Sequence, residues 1–395
     1  MHKNLVKLIK GGEVYSPSYL GKKDILIGGD KILQISEHIN INLEDVEVID
    51  AEGMIVVPGL IDAHVHIAGA GGEGGPASRT PELQLSDYTT AGVTTIIGCL
   101  GTDGVTRTVE SVLMRAKGLN AEGLSVWIYT GSYQHPTPTI LGDVSKDISM
   151  IQEVIGVGEV AISDHRSSVP TTAELIRLAA HARVGGMLGG KAGIVNLHMG
   201  DAKEPFAPIY KAVNESMLQF RQFLPTHCNR NEWIFEDAKS YGVKGFVDIT
   251  TSSYPYYQDE EIKPSKAYKL LIDSGVPAEH VTFTSDAGGS LPGFDPVTGE
   301  LTSMVTATPH SNLKEMADCV HYEGMKLDLA LLPVTLNPAK ILKLNSKGRL
   351  TSGADADLLL LRPDDLSLIS TMARGEWMVK DTVIVKYGSY ERRPK

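Results

Sequence analysis

Eight short, apolar, strand-like stretches alternate with helical patterns through the middle of this 395-residue chain. The strand-like stretches occupy residues 60–66, 94–100, 125–130, 159–163, 194–198, 224–227, 245–250 and 281–285. Helical patterns lie between most of them, for example at 86–91, 111–119, 173–182 and 265–274. Eight strand–helix units over about 290 residues are typical of an α/β protein with a (β/α)8 TIM-like barrel. An open, doubly wound sheet is the alternative.

Both ends of the chain have a different pattern, with short strands and no helices between them. Candidate strands lie at 5–9, 24–27, 31–35 and 46–49, and again at 357–361, 369–373, 376–380 and 382–385. We expect the two ends to form one small β-sandwich, the alternative being two unrelated extensions. The predicted domains are therefore a β-sandwich of residues 1–57 plus 345–395 and a barrel of residues 58–344.

The composition indicates a large core and little affinity for polyanions. Apolar residues make up 42% of the chain and charged residues 22%, which is typical of a globular protein. The formal net charge of −11 argues against nucleic acid and membrane lipid as partners. No apolar run is long enough for a signal peptide or a transmembrane helix. Cys99, Cys228 and Cys319 show no CxxC spacing, so we expect a reducing, cytoplasmic location without disulfides.

The most specific motif is His64-Val65-His66, at the end of the first predicted barrel strand. Because residues i and i+2 point to the same side of a strand, both imidazoles would face the barrel interior. They would lie near the C-terminal mouth, where barrel active sites are found. His198, His227 and Asp286 stand at the ends of the fifth, sixth and eighth predicted strands. Four histidines and an aspartate in these positions predict a site for a divalent transition metal.

These residues, together with the segment 58–66, resemble the amidohydrolase superfamily. Six further segments resemble the isoaspartyl (β-aspartyl) dipeptidase family within it: 71–76, 100–103, 130–133, 161–166, 197–201 and 227–231. The resemblance covers nearly the whole chain. It implies a metal-dependent hydrolase that cleaves β-aspartyl dipeptides with a metal-bound hydroxide, on a (β/α)8 barrel with a small β-sandwich. It also implies a homo-oligomer.

One departure from the family concerns the group that bridges the metal ions. The family usually has a carboxylated lysine on the fourth strand, but no lysine lies between Lys146 and Lys191 in this chain. The segment before Ile162 is also one residue longer than the family pattern. We expect Glu159 to bridge two Zn²⁺ ions in place of the carboxylated lysine. The alternative is that Glu159 faces a helix and that the site holds a single metal ion.

The resemblance also implies the metal ligands and the groups that act in the reaction. His64, His66 and Asp286 would hold one metal ion, and His198 and His227 would hold the other. Asp286 would in addition accept the proton of the attacking water and pass it to the leaving amine.

Tyr133 would donate a hydrogen bond to the oxyanion that forms during the reaction. Further residues would bind the substrate: Gly71, Glu73, Thr102, Arg166, Arg230 and Ser290. Glu73 suits the α-ammonium group of a β-aspartyl dipeptide, and the two arginines suit its carboxylates. Asp164 and His165, beside Arg166, are candidates for positioning roles.

A long segment follows the last predicted barrel strand. Residues 287–309 are rich in Gly, Pro and Thr, and we expect them to form a lid that carries Ser290 over the substrate.

Two other functions remain open. One is a cyclic-amide hydrolase acting on dihydropyrimidine or hydantoin rings, and the other is a non-catalytic scaffold with the same fold.

Overall fold

In the computed structural model, residues 5–42, 45–295, 298 and 301–393 are described. The first strands are β1 (Val6–Tyr15), β2 (Tyr19–Gly28), β3 (Lys31–Ser36), β4 (Val46–Asp50) and β5 (Ile55–Pro58). The barrel strands are β6 (Leu60–Val65), β7 (Val93–Gly98), β8 (Ser125–Thr130), β9 (Val154–Ile162), β10 (Ile194–Met199), β11 (Phe223–Thr226), β12 (Val247–Thr250) and β13 (Val281–Thr284). The last strands are β14 (Ser290–Phe294), β15 (Leu301–Thr306), β16 (Leu358–Leu361), β17 (Leu368–Ala373), β18 (Glu376–Lys380) and β19 (Val383–Ile384). The α-helices are α1 (Leu85–Thr89), α2 (Val109–Glu122), α3 (Val144–Met150), α4 (Thr172–Gly189), α5 (Ala207–Asn214), α6 (Glu232–Gly242), α7 (Pro264–Asp273), α8 (His310–His321), α9 (Leu327–Ala330) and α10 (Leu336–Ile341).

Strands β6 to β11 form a curled parallel sheet in chain order, and β12 pairs in parallel with β13. Backbone hydrogen bonds also join the two remaining neighbours, β11 with β12 and β13 with β6. The amide of Cys228 donates to Asp248 over 3.1 Å, and the amide of His66 donates to Ala287 over 2.8 Å. Every residue of β6, β7, β9 and β10 is buried, as expected when helices cover one face and the barrel interior covers the other. The predicted TIM-like barrel is confirmed.

The two ends of the chain join in one β-rich unit, as predicted, and the strands of that unit belong to one nine-stranded sheet. Its order is β19-β18-β17-β16-β5-β1-β2-β3, and β4 pairs with β1. The ends meet where β5 runs antiparallel to β16, with Val56 opposite Leu360. A second core belongs to this β-rich unit, and Ile9, Ile25 and Met372 are among its residues. The exact domain boundaries, at 57/58 and 344/345, remain a proposal.

The fourth barrel strand starts earlier than the sequence indicates. The predicted strand was 159–163, whereas β9 begins at Val154, so Glu159 lies in its C-terminal half. Gly156 and Gly158 weaken the strand pattern at this point, because glycine has a low strand propensity. Strand β5 is also absent from the prediction. Within the described residues, no helix combines the length and the apolar character needed to cross a lipid bilayer.

A buried lysine joins the C-terminal segment to the barrel. The Lys347 ammonium lies 2.8 Å from Asp355, 2.5 Å from Asp357 and 2.6 Å from the hydroxyl of Ser125, the first residue of β8. The Lys347 side chain is 1% exposed. Because Lys347→Met would leave the two carboxylates without this cation, we expect the free energy of unfolding to fall by about 3–5 kcal/mol.

Denaturant unfolding followed by circular dichroism measures this loss. Lys340→Met, at an exposed position of α10, is the matched control and should change stability little. Equal stability of the two variants would contradict a structural role for the buried ammonium.

Candidate active site

A cavity of about 1120 Å³ opens at the C-terminal ends of the barrel strands. Its lining includes most of the residues that the sequence analysis singled out: His66, Gly71, Glu73, Thr102, Tyr133, Arg166, His198, His227, Arg230, Asp286 and Ser290. The other two, His64 and Glu159, are 0% and 1% exposed. The structure therefore brings all the predicted site residues together at the mouth that a barrel enzyme uses.

Glu159 lies at the centre of four imidazoles. Its Oε1 is 3.4 Å from Nε2 of His66. Its Oε2 is 3.4 Å from Nε2 of His64, 3.2 Å from Nδ1 of His198 and 3.6 Å from Nε2 of His227. One carboxylate oxygen thus faces His66 and the other faces the remaining three rings. The alternative that Glu159 faces a helix is wrong.

A bulge in β9 directs Glu159 toward the imidazoles. Val157 pairs with Val195 of β10, but Val160 pairs with Leu197, so two residues of β9 stand opposite one residue of β10. Such a bulge bends a strand locally and turns a side chain in a new direction. The bulge lies directly at the carboxylate, in the segment that the sequence indicates to be one residue longer than the family pattern.

Asp286 approaches the same imidazoles from the opposite side of the barrel. Its Oδ1 lies 3.0 Å from Nε2 of His66 and 3.6 Å from Nε2 of His64. It follows β13 by two residues and has a φ of +54°, and His227 just after β11 has a φ of +64°. Left-handed conformations are uncommon for residues with side chains and tend to cluster at functional sites.

The electrostatics keep the two carboxylates charged. Burial would raise the pKa of Glu159, but the imidazoles, with His64 foremost, hold it well below its usual value. Burial would also raise the pKa of Asp286, but the hydrogen bond and the charge of the nearby His66 act against it, and the pKa falls to about 2. Burial, followed by the charge of His198, lowers the pKa of His227 to about 3. Burial would lower the pKa of His64 and His66, but the negative charges of Cys99 and the carboxylates hold it well above its usual value, so a metal ion that binds here would displace protons from these two rings.

His64 is oriented as a metal ligand would be. Its Nδ1 lies 3.1 Å from Oδ1 of Asn196, and because that oxygen only accepts, Nδ1 carries the proton. Nε2 of His64 is then the atom that faces the carboxylates, 3.4 Å from Glu159 and 3.6 Å from Asp286, and it makes no hydrogen bond in the described part of the chain. The Oδ1 of Asp286 is also buried and lies 3.0 Å from Nε2 of His66. Four imidazoles and two carboxylates are a donor set that fits divalent transition metals such as Zn²⁺.

His198 connects the carboxylate centre to the cavity. The Tyr133 hydroxyl lies 2.7 Å from Nδ1 of His198, and Oδ2 of Asp164 lies 3.1 Å from its Nε2. Asp164 also accepts from Nε and Nη2 of Arg166 over 3.0 and 2.9 Å. A carboxylate behind a histidine fixes its tautomer and ring orientation, so Asp164 positions both His198 and Arg166. This agrees with the positioning role considered for Asp164, whereas His165 is exposed at the cavity rim.

Charged groups of both signs face the cavity beyond the imidazoles. Nη1 of Arg166 lies 3.6 Å from Oε1 of Glu73, on the loop after β6. Arg230 donates from Nη1 to the carbonyl of Met199 over 3.0 Å, and its side chain is 26% exposed. Asn231, the next residue, caps the N-terminus of α6 by accepting from the amide of Ile234. The strand end and this cap together hold Arg230 at the cavity wall.

The loop after β12 also contributes to the cavity, although no motif in the sequence indicates it. Ser253, Tyr257 and Glu261 line the cavity, and the Ser253 hydroxyl donates to Glu261 over 2.7 Å. Burial raises the pKa of Glu261 to about 7. The Tyr257 hydroxyl donates to the carbonyl of Pro292 over 2.6 Å and so ties this loop to the β14–β15 hairpin. The one available signal was the length of the polar, aromatic stretch between β12 and α7.

The β14–β15 hairpin occupies the place of the predicted lid. Ser290 opens β14, and its hydroxyl is buried and unpartnered among the described residues. Residues 296, 297, 299 and 300 of the predicted lid lie outside the described residues. Whether this segment opens and closes stays a prediction.

Comparison with solved structures shows a strong similarity. The β-aspartyl dipeptidase from Fervidobacterium islandicum AW-1, in complex with β-Asp-Leu dipeptide, is 39% identical to this chain with a TM-score of 0.88. The similarity covers 96% of this chain and 98% of that one. The D-hydantoinase (dihydropyrimidinase) from Thermus sp. has a TM-score of 0.71 at 16% identity and covers 97% of both chains, which shows a shared fold.

Sequence comparisons point to the same group of hydrolases. The profile of the amidohydrolase family matches residues 216–384. A dihydroorotase of Pelotomaculum thermopropionicum is 25% identical over 408 residues, which span 90% of this chain and 89% of that protein. A dihydroorotase of Staphylococcus epidermidis is 39% identical over 107 residues, which span 27% of this chain and 24% of that protein's length.

Proposed function

We propose, since this chain belongs to the β-aspartyl dipeptidase family of the amidohydrolases, that it is a metal-dependent isoaspartyl dipeptidase. The observation that carries the proposal is the position of Glu159 among four imidazoles, beneath a cavity with charged groups of both signs. The first feature suits a hydrolytic metal centre. The second suits a substrate that has an ammonium group and two carboxylates.

The centre would hold two Zn²⁺ ions per subunit. His64, His66 and Asp286 would bind one of them, and His198 and His227 the other. Glu159 would bridge the pair, because its carboxylate lies within 3.6 Å of the ring nitrogens of all four imidazoles. Bound at this place, such ions lower the pKa of a water molecule toward neutrality and polarise a carbonyl group.

Two side chains would handle the proton and the developing charge. The carboxylate of Asp286, ionised and at the cavity wall, would accept the proton of the attacking water and deliver it to the leaving amine. Burial, followed by the charge of Glu159, raises the pKa of Tyr133 well above its usual value, so its hydroxyl stays a donor. If His198 holds a metal ion as proposed, the Tyr133 hydroxyl would be available to donate to the oxyanion.

The cavity wall would recognise the two ends of a β-aspartyl dipeptide. Glu73 would pair with the α-ammonium group, and Arg166 and Arg230 with the carboxylates. In the absence of substrate, the charged groups of Glu73 and Arg166 lie 3.6 Å apart, so their charges partly neutralise each other. Further hydrogen bonds would come from residues around the same cavity: Gly71, Thr102 and Ser290.

We expect Arg230→Met to raise KM about 10- to 100-fold and to change kcat much less, because a charge-assisted hydrogen bond to the substrate carboxylate is lost. Steady-state kinetics with β-Asp-Leu measures both constants. Arg177→Met, at an exposed position of α4, is the matched control. An unchanged KM would exclude a contact between Arg230 and the substrate carboxylate.

A second candidate function is hydrolysis of cyclic amides. It is supported by the dihydroorotase of Pelotomaculum thermopropionicum, which is similar along 90% of this chain, although at 25% identity. A ring amide has no α-ammonium group, so it would leave Glu73 without a substrate partner. A non-catalytic scaffold is the third candidate, and the complete set of His, Asp and Glu donors speaks against it.

The deciding experiment compares β-Asp-Leu, α-Asp-Leu, dihydroorotate and hydantoin as substrates. The protein is used loaded with Zn²⁺ and, as a control, stripped of metal. Metal-dependent cleavage of the β-linked peptide alone is the expected result. Cleavage of a ring amide alone would favour the second candidate, and no cleavage with metal bound would overturn the proposal.

We further propose that the protein acts in the cytoplasm as a homo-oligomer on small dipeptides. The three cysteines are all buried and unpaired, which is in keeping with a reducing compartment. Light scattering after size-exclusion chromatography measures the oligomeric state directly.

A further inference from the structure

We propose that Cys99 is an additional ligand of the metal centre and binds through its thiolate beside His64 and His66. This inference rests on the proposed metal site and adds a sulfur donor to a set of nitrogen and oxygen donors.

Cys99 lies at the mouth of the barrel, directly after the second barrel strand. Strand β7 ends at Gly98, and Ile97 belongs to the core inside the barrel. Because alternate residues share a face, Cys99 also points inward. Its amide donates to the carbonyl of Val65 over 3.0 Å, and this bond holds the residue next to the His64-Val65-His66 segment.

The sulfur lies beside the two histidines of the His64-Val65-His66 segment. Sγ of Cys99 lies 3.8 Å from Nδ1 of His66. Ligand atoms of His64, His66, Cys99 and Glu159 all lie within 4.8 Å of one another, and the four residues are buried. Zn–N bonds of about 2.0 Å and Zn–S bonds of about 2.3 Å bring ligand atoms to comparable separations.

Two further atoms show that this space is built for a ligand. Nε2 of His64 is buried there and makes no hydrogen bond within the described ranges, although it lies 3.6 Å from Oδ1 of Asp286. Oδ1 of Asp286 in turn lies 3.0 Å from Nε2 of His66. An unpaired buried imidazole nitrogen is costly, and a metal ion would give it a partner within reach of the thiol, because the ligand atoms of His64 and Cys99 lie within 4.8 Å of each other.

The thiol of Cys99 also contacts the carbonyl of Val65 over 3.6 Å, and what distinguishes Cys99 from the other two cysteines is its position beside His66. Sγ of Cys228 donates to the carbonyl of Pro225 over 3.3 Å, and Cys228 packs in the core between the barrel and its helices. Cys319 belongs to α8 and to the same outer core. Neither belongs to the groups of potential metal ligands found among the described residues.

A thiolate changes the metal preference of the centre. Soft sulfur ligands favour Zn²⁺, Co²⁺ and Cd²⁺ over hard ions such as Mn²⁺ and Mg²⁺, which prefer oxygen donors. The thiol releases its proton to solvent when it binds the metal ion. The residue is therefore expected to set which divalent ion occupies the site beside His64 and His66.

Cobalt substitution tests the proposal without reference to activity. Metal-stripped full-length protein is titrated with Co²⁺, and its absorption spectrum is recorded. A thiolate bound to Co²⁺ gives a sulfur-to-metal charge-transfer band in the near ultraviolet, whereas bound Co²⁺ itself is detected by its visible bands. We expect the charge-transfer band in the wild type and in Cys319→Ala, and its loss in Cys99→Ala and Cys99→Ser.

A second measurement follows metal affinity. Cys99→Ser should weaken Zn²⁺ and Cd²⁺ binding by at least about 10-fold and change Mn²⁺ binding less, as measured by competition with a chelator. Visible cobalt bands without the charge-transfer band in the wild type would overturn the role of Cys99 while leaving the metal centre in place. Failure to bind Co²⁺ at all would overturn both. Because neither readout uses a substrate, failure of the dipeptidase assay remains a separate result.

Discussion

Asp286→Asn should lower kcat for β-Asp-Leu by about two to four orders of magnitude, with little change in KM. The amide has nearly the shape of the carboxylate but cannot take up the proton of the attacking water. The observation behind this expectation is a carboxylate with a pKa of about 2 that lines the cavity and lies 3.0 Å from His66. Such a group is ionised and within reach of both the metal centre and the substrate.

The comparison needs a measurement of bound metal, since Asp286 is also a proposed ligand. Each variant is therefore assayed after loading with Zn²⁺ and elemental analysis, so that kcat refers to the metal-loaded protein. Asp273→Asn, at the exposed end of α7, is the matched control. Activity of Asp286→Asn near that of the control would show that another group moves the proton.

Glu159→Gln should reduce kcat/KM by about a thousandfold or more, because the charge supplied by the metal pair is worth several kilocalories per mole. The substitution keeps the size of the side chain but removes the negative charge that faces four imidazoles. We expect the metal content to fall from about two ions per chain to about one or fewer. Elemental analysis after gel filtration gives this number.

A loss of metal binding must be distinguished from a loss of folding in this experiment, because a substitution at the buried Glu159 could cause either. Circular dichroism of the metal-free variant should match that of the metal-free wild type. Glu110→Gln, on the exposed face of α2, serves as the control for handling and assay. Retention of two metal ions and of activity by Glu159→Gln would be incompatible with a bridging carboxylate.

The barrel was predictable because its strands are buried on both faces and therefore read as apolar runs. Strand β8 was predicted at its observed bounds, and the others were found within a few residues. The largest error concerned β9, where Gly156 and Gly158 conceal a strand that in fact begins at Val154. Local propensity cannot show a strand whose stability comes from pairing with both neighbours.

The clustering of the candidate metal ligands was predictable for a related reason. In a parallel barrel the ends of all strands meet at one mouth, so His66 and His227, far apart in sequence, must approach each other. The bulge at Glu159 and the loop that carries Tyr257 and Glu261 depend on register and tertiary contacts, which a strand pattern does not encode. Cys99 was overlooked because a thiol inside an apolar stretch is indistinguishable from a core residue.

The bulge in β9 has a consequence for how the metal centre assembles. A carboxylated lysine forms only after dissolved carbon dioxide has reacted with the amine, and it is lost when that adduct decomposes. With Glu159 as the proposed bridge, the carboxylate would be present as soon as the chain is synthesised. Refolded or metal-stripped protein would then need only the metal ion to rebuild the proposed centre, in buffers purged of carbon dioxide as well as in bicarbonate. The proposed activity would thereby be uncoupled from the gas composition of the surroundings.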